Sequence, residues 1–326
     1  MYFLRYFFVF FAALILTSCQ SSNRSIDSVA LSASELQSAH GFQDYIDGKE
    51  SVLKVERDHR TKFFLHKNAN SELVKTDLVF IVIHGLSMSP LYMSELSFNL
   101  YSRGHNVINL RLSKHFETPR KRLDDVSYKE WLAQVEEITK YVFLYGKRVV
   151  FVSHSTGGLL SMYGARLIPA HTVGMFFLSP ALKVSKYIRN LTSAMRAIKV
   201  SGYVAEFFRL PMMGKAEKYK STYAETQVRE LSQFVLSNKG PSGSRQKTIK
   251  EILNSFPVHV VDTDKDNVVP PAVNKKYFSE VKTATYSLIP KSYNVKHGET
   301  FFLNPEVNKW SEFLKNDLDY FLNRLP

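Results

Sequence analysis

The chain has 326 residues, 43 of them Lys or Arg and 30 Asp or Glu, and the resulting +13 at neutral pH points to an anionic partner. With 24 Phe and 17 Tyr it can bury a large core, which excludes wholesale disorder, and its one Cys excludes a disulfide framework or a cysteine-cluster metal site. No apolar run reaches the roughly 18 residues of a spanning helix, so a multi-pass membrane protein is excluded as well.

The N-terminus reads as an address. Arg5 is followed by an apolar run over residues 6–16, the length of a signal-peptide core. The run ends in Leu16-Thr17-Ser18-Cys19, which resembles the lipobox of bacterial lipoproteins. That resemblance implies a signal peptide over 1–18, cleavage before Cys19, lipidation of Cys19, export and membrane anchoring. Gln20 in place of an Asp implies outer-membrane sorting in a Gram-negative cell. Residues 19–50, rich in Ser and poor in large apolar side chains, are expected to form a polar tether with at most one short helix.

From residue 51 the pattern changes. Residues 51–56 and 61–66 alternate like an antiparallel strand pair. The β-branched run over 77–83 predicts a strand buried on both faces, and 106–110, 148–153, 174–179 and 257–262 repeat the type, with 283–289 as a last strand. Helices fall between them. Met93, Leu96 and Leu100 share a face that ends at Gly104, and Ser127-Tyr-Lys-Glu130 is a capping box before Trp131, Val135, Ile138 and Val142. Val307, Trp310, Leu314, Leu318 and Phe321 stripe a C-terminal helix. Strands alternating with helices predict an α/β fold with a mostly parallel central sheet flanked by helices, over 51–182 and 251–326. Residues 183–250 interrupt it as a helical insertion holding 14 Lys and Arg against four Asp and Glu, so a net +10 sits in about a fifth of the chain.

The sharpest chemical signal is Val149-Val-Phe-Val-Ser-His-Ser-Thr-Gly-Gly158. A buried strand runs through Ser-x-Ser-x-Gly into an apolar helix, the pattern of a nucleophile elbow that exposes Ser155 at the sheet edge. Ser153 stands where Gly is usual but is still small. A lone hydroxyl needs a base and something to orient that base, in the chain order Ser, acid, His. His297 is the His that follows every acidic candidate. His154 adjoins the nucleophile but is expected to point away and pack, and His84 and His259 are expected to be structural. Asp262, Asp264 and Asp266 all leave the strand after the insertion. A tetrahedral oxyanion requires fixed N–H donors, for which the elbow pattern provides Thr156 and the His84-Gly85-Leu86 turn provides Leu86.

These motifs, with Leu178-Ser-Pro180, Lys265-Asp-Asn-Val-Val269 and Lys296-His-Gly298, resemble the α/β-hydrolase superfamily, and within it the monoacylglycerol lipase, lysophospholipase and serine aminopeptidase group. The resemblance covers about residues 50–326. It implies the α/β-hydrolase fold with an inserted lid, hydrolysis of carboxylic and in particular acyl or lipid esters, and a Ser155, Asp266, His297 triad with Asp264 as the alternative acid. The remaining His show no spacing that suggests a metal site, and neither a metal nor a cofactor is expected. One departure is Arg111-Leu-Ser-Lys-His115, where the group often shows Arg-Gly-His-Gly-x-Ser. Phe207, Phe208, Leu210, Met212 and Met213, amid basic residues, are expected to form an apolar lid face toward anionic membrane. The expected partners are thus an ester substrate and a membrane reached through Cys19 and the basic cap, not nucleic acid. The competing expectation is a membrane-tethered binding protein that keeps the fold without turnover.

Overall fold

A computed structural model of the chain describes residues 28–117, 126–185, 224–237, 248–299 and 310–326. The signal segment, Cys19, the apolar cluster over 207–213, most of the basic insertion and Val307 lie outside the described residues.

The chain runs β1 (Ser28–Ala30), α1 (Ala33–Val52), β2 (Lys62–Phe64), β3 (Val74–Ile83), α2 (Pro90–Ser102), β4 (Asn106–Leu110), α3 (Tyr128–Tyr141), β5 (Gly146–His154), α4 (Thr156–Leu167), β6 (Thr172–Leu178), α5 (Ala224–Leu236), α6 (Ile249–Leu253), β7 (Val258–Thr263), α7 (Pro271–Phe278), β8 (Ala284–Ile289) and α8 (Ser311–Leu322). The strands form one sheet in the order β2-β4-β3-β5-β6-β7-β8, with β1 beside β3. From β4 through β8 every pairing is parallel, while β1 and β2 run antiparallel to their neighbours. This is an α/β-hydrolase fold: the mostly parallel sheet is what the strand and helix pattern predicts, and the fold is the one the family resemblance implies.

Alternation along each strand divides the core into two layers. Val79, Ile81 and Ile83 of β3, Val149 and Phe151 of β5 and Met175 and Phe177 of β6 face the layer that holds α3 residues Trp131, Val135 and Ile138. Leu78, Phe80 and Val82, with Val150, Val152, Phe176 and Leu178, face the layer of α2 and α8. Continuous apolar runs are what a strand covered on both faces requires. The capping box forms as read: Ser127 caps α3 and its backbone N–H donates to Glu130.

Three expectations need correction. Residues 33–50 are not a free tether. They belong to a 20-residue helix, capped by Ser32 and Glu35, that buries Ala39, Phe42, Ile46 and Glu50. Residues 51–56 are not a strand, because Ser51 and Val52 finish α1 and Lys54 takes φ 51°. The strand expected to pair with them, Lys62–Phe64, pairs instead with β4. In the insertion, α5 buries Val228, Leu231 and Val235 against the core, and Tyr128 N–H donates to Gln227 at 2.9 Å.

One carboxyl lies within the sheet. Asp262 of β7 is 1% exposed and accepts hydrogen bonds from Tyr286 of β8 at 2.8 Å and Asn274 of α7 at 3.0 Å. Burial pushes its pKa up to about 7, against the lowering effect of those two donors. Below about pH 4 both folded and unfolded chains hold this proton. Between about 4 and 7 the folded chain keeps a proton that the unfolded chain has released, so stability falls as pH rises, and above 7 the loss is complete. A rise from 3.8 to about 7 corresponds to ~4 kcal/mol. Asp262→Asn is therefore expected to flatten the pH 4–7 dependence of stability, read by guanidinium unfolding at pH 5 and pH 8. A second expectation concerns packing. A Cβ on Gly157 would lie 2.2 Å from the Ile83 carbonyl oxygen and 2.8 Å from that of His84. Backbone atoms of a central strand cannot yield, so Gly157→Ala should cost ~3 kcal/mol in the same measurement.

Candidate active site

β5 ends at His154, α4 begins at Thr156, and Ser155 alone makes the turn, with φ 52° and ψ −117°. A side chain at positive φ is strained, and the surroundings hold it there. Ser155 N–H donates to the Leu178 carbonyl at 2.9 Å, while the Ser155 carbonyl accepts from Gly158 and Ala181, each at 2.9 Å. Strand and helix approach too closely for side chains on the inner side. Gly157 lies against the β3 backbone, and a Cβ on Gly158 would meet Pro180 at 2.7 Å. Ser153 satisfies the same demand for a small residue, although its buried hydroxyl finds no hydrogen-bond partner.

The structure brings Ser155, His297 and Asp266 together. His297 Nε2 lies 2.8 Å from Ser155 Oγ, and His297 Nδ1 lies 2.6 Å from Asp266 Oδ2. The carboxylate can only accept, so Nδ1 carries the ring proton and Nε2 is free to accept from the serine hydroxyl. The Asp266 carboxyl has no exposed side-chain surface, and its second oxygen accepts the N–H groups of Val268 at 2.9 Å and Val269 at 2.8 Å. Burial favours its protonation, but the His297 ring and these amides outweigh burial and hold the carboxyl below its ordinary value. The other two candidates are elsewhere: Asp262 is tied into the sheet, and Asp264 is exposed.

His154 has more contact with the site than expected. It is buried, and its Nε2 lies 2.8 Å from the backbone carbonyl of His297. A carbonyl can only accept, so His154 donates to it. Burial holds the His154 pKa down to about 3, which keeps the ring neutral beside His297. Thr263 Oγ1 donates to the Val295 carbonyl at 2.7 Å and fixes the same loop from the β7 side. In the sequence His154 stands one residue from Ser155, but nothing there says that its partner lies 143 residues on.

The residues expected to supply the two amide donors lie next to Ser155 in the chain or next to a residue packed against it. Thr156 opens α4, with its backbone at a helix N-terminus where N–H groups have no intrahelical acceptor. Leu86 follows Gly85 in the turn after β3, and a Cβ on Gly85 would lie 2.9 Å from Ser155 Cβ. His84 is buried, accepts the Leu112 N–H on Nε2 at 3.1 Å and so donates from Nδ1 to the Gly85 carbonyl at 2.8 Å. Burial, with the nearby His115 and despite the Gly85 bond, keeps its pKa well below the ordinary value. Among the described residues no cluster of His, Cys, Asp and Glu could hold a metal ion, and no helix is long and apolar enough to cross a membrane.

No curated protein sequence matches the chain. Its fold is similar to that of a metagenome-derived lipolytic enzyme, with a TM-score of 0.58, 16% identity and coverage of 82% of this chain and 99% of that one. It is similar to the monoacylglycerol lipase of Paleococcus ferrophilus, with a TM-score of 0.54, 17% identity and coverage of 81% and 98%. It is also similar to a thermophilic esterase from Thermogutta terrifontis, with a TM-score of 0.52, 13% identity and coverage of 82% and 100%. At such identities the likeness is one of fold. Residues 79–302, more than half the chain, match the alpha/beta hydrolase family, and they span every element that positions Ser155, Asp266 and His297, so the protein belongs to that family.

Proposed function

We infer that the protein is a serine hydrolase that cleaves carboxylic esters, with acyl or lipid esters as its substrates. The observation that carries this reading is the hydrogen-bonded line from Ser155 Oγ through the His297 ring to Asp266 Oδ2, at 2.8 and 2.6 Å. In the proposed reaction Ser155 Oγ attacks the ester carbonyl as His297 Nε2 takes its proton. The N–H groups of Leu86 and Thr156 hold the resulting oxyanion, and His297 returns the proton to the departing alcohol. Water then cleaves the acyl-enzyme with His297 as base. Asp266 remains ionised, fixes the ring tautomer and stabilises the imidazolium; its two backbone donors and its low pKa suit that role.

Lipid esters are preferred over other esters for two reasons. Two of the similar folds are described as a lipolytic enzyme and a monoacylglycerol lipase. The Leu-Thr-Ser-Cys sequence at 16–19 would in addition place the protein at a membrane, lipidated on Cys19 after export, with the basic residues of 183–250 facing anionic headgroups.

A fluorophosphonate probe tests the chemistry. The wild type should be labelled stoichiometrically and Ser155→Ala not at all; labelling that survives in Ser155→Ala, or never occurs in the wild type, overturns the assignment. Asp266→Asn should fold normally and lose roughly 10⁴-fold in kcat on a p-nitrophenyl ester, through the wrong His297 tautomer. A series of such esters from C2 to C16 should show turnover rising with acyl length.

A further inference from the structure

The loop after β4 is tied to α1 by buried charge. Arg111 is 2% exposed; its Nε donates to Glu50 Oε1 at 3.0 Å, and its Nη1 donates to the carbonyls of His115 at 2.9 Å and Leu112 at 3.3 Å. Glu50, 3% exposed, also accepts the Thr61 hydroxyl and the Thr61 N–H, each at 2.8 Å. Thr61 Oγ1 in turn accepts the Arg111 N–H at 3.1 Å. Glu117 stands 3.5 Å from Arg111 Nη1 and accepts the Lys114 N–H. The loop would not hold this shape by its own preference, because Lys114 and Phe116 both take positive φ. α3 supports its other side, through Gln134, Glu130 and Trp131 on Ser113.

The consequence runs back toward the serine. Leu112 N–H donates to His84 Nε2, which leaves the ring proton on Nδ1, and that proton is given to the Gly85 carbonyl. The Gly85 carbonyl and the Leu86 N–H belong to one planar peptide unit and point in opposite directions. Whatever fixes that carbonyl therefore aims the Leu86 N–H.

We propose that Glu50 and Arg111 are positioning residues that, through Leu112 and His84, aim the Leu86 N–H at the oxyanion, so that the N-terminal helix α1 is a working part of the active site. This rests on the serine-hydrolase reading above. It assigns a role to the Arg111–His115 loop, where the sequence departs from the group's usual motif, and to a helix that the sequence pattern presents as a tether.

The test uses the full chain with three variants, Glu50→Gln, Thr61→Val and the apolar replacement Glu50→Leu/Arg111→Met/Glu117→Gln. The active sites of each are titrated with a fluorophosphonate, so that kcat is counted only over folded, reactive protein. On p-nitrophenyl butyrate, Glu50→Gln should lower kcat per titrated site by roughly 10–100-fold with KM unchanged, short of the roughly 100–1,000-fold of losing a donor outright. Thr61→Val should show a smaller loss of the same kind. In the apolar replacement no buried charge is stranded, so its Tm should lie near the wild type's while its kcat stays depressed. Restored Tm with wild-type kcat, or Glu50→Gln and Thr61→Val at wild-type kcat per site, overturns the proposal. A wild type that is never labelled refutes the serine-hydrolase reading itself, a result distinct from either.

Discussion

A side chain held at positive φ between a strand and a helix is the constraint from which the rest of this structure follows. Ser155 can occupy φ 52° only because its own N–H and carbonyl are taken up by Leu178, Gly158 and Ala181. Those bonds require β6 to run beside β5 and the 179–182 turn to fold back over the helix start. The same sharp turn brings α4 against β3 so tightly that position 157 can carry no Cβ, and it brings Gly85 against the serine. Strain at one residue is thus distributed as a packing requirement over three strands, and the hydroxyl emerges where a helix N-terminus and the turn after β3 converge.

The imidazoles around this point divide the work by protonation state. His84 and His154 are kept neutral, first by burial, and each then has one nitrogen that donates to a backbone carbonyl. A neutral ring in that position is a rigid strut, with no charge that would repel His297 were it to accept a proton as proposed. Asp266 takes the opposite course: its partners outweigh burial, and it stays ionised. Asp262, four residues away and equally buried, lacks a cationic partner and two backbone donors, and burial dominates there. Two carboxyls, one at the end of β7 and one in the loop that follows it, are thereby separated by environment.

Much of this was legible in the sequence because it depends on local rules. Buried strands read as unbroken apolar runs, the Ser127 cap as a box, and the elbow as small residues around Ser155. The base followed from its place after every acidic candidate, whereas order alone left three aspartates open and Asp266 rested on the family resemblance of Lys265-Asp-Asn-Val-Val269. What escaped depends on partners remote in sequence. The α1 helix buries Ala39, Phe42, Ile46 and Glu50, a narrow stripe with one carboxylate and one methyl in it, too weak a pattern to announce a docked helix. Glu50 is buried only because Arg111 arrives from 61 residues away. His154 read as packing because its partner is the main chain of His297, and a backbone carbonyl leaves no trace in residue identities. The strand pairing of Lys62–Phe64 went to β4 for a related reason: α1 continues through Val52 and removes the expected neighbour.

The pairing of Ser28–Ala30 with β3 also sets a length scale. With Cys19 acylated as proposed, only residues 19–27 would separate the lipid from β1, and nine residues extend to ~30 Å at most. That is no longer than one domain diameter. A hydrolase on so short a leash would not search the volume around it, and it would meet chiefly what the bilayer brings within reach. Its effective substrate concentration is then a surface density, and ester turnover would depend on how lipids diffuse and pack in the membrane more than on how much ester is dissolved beside it.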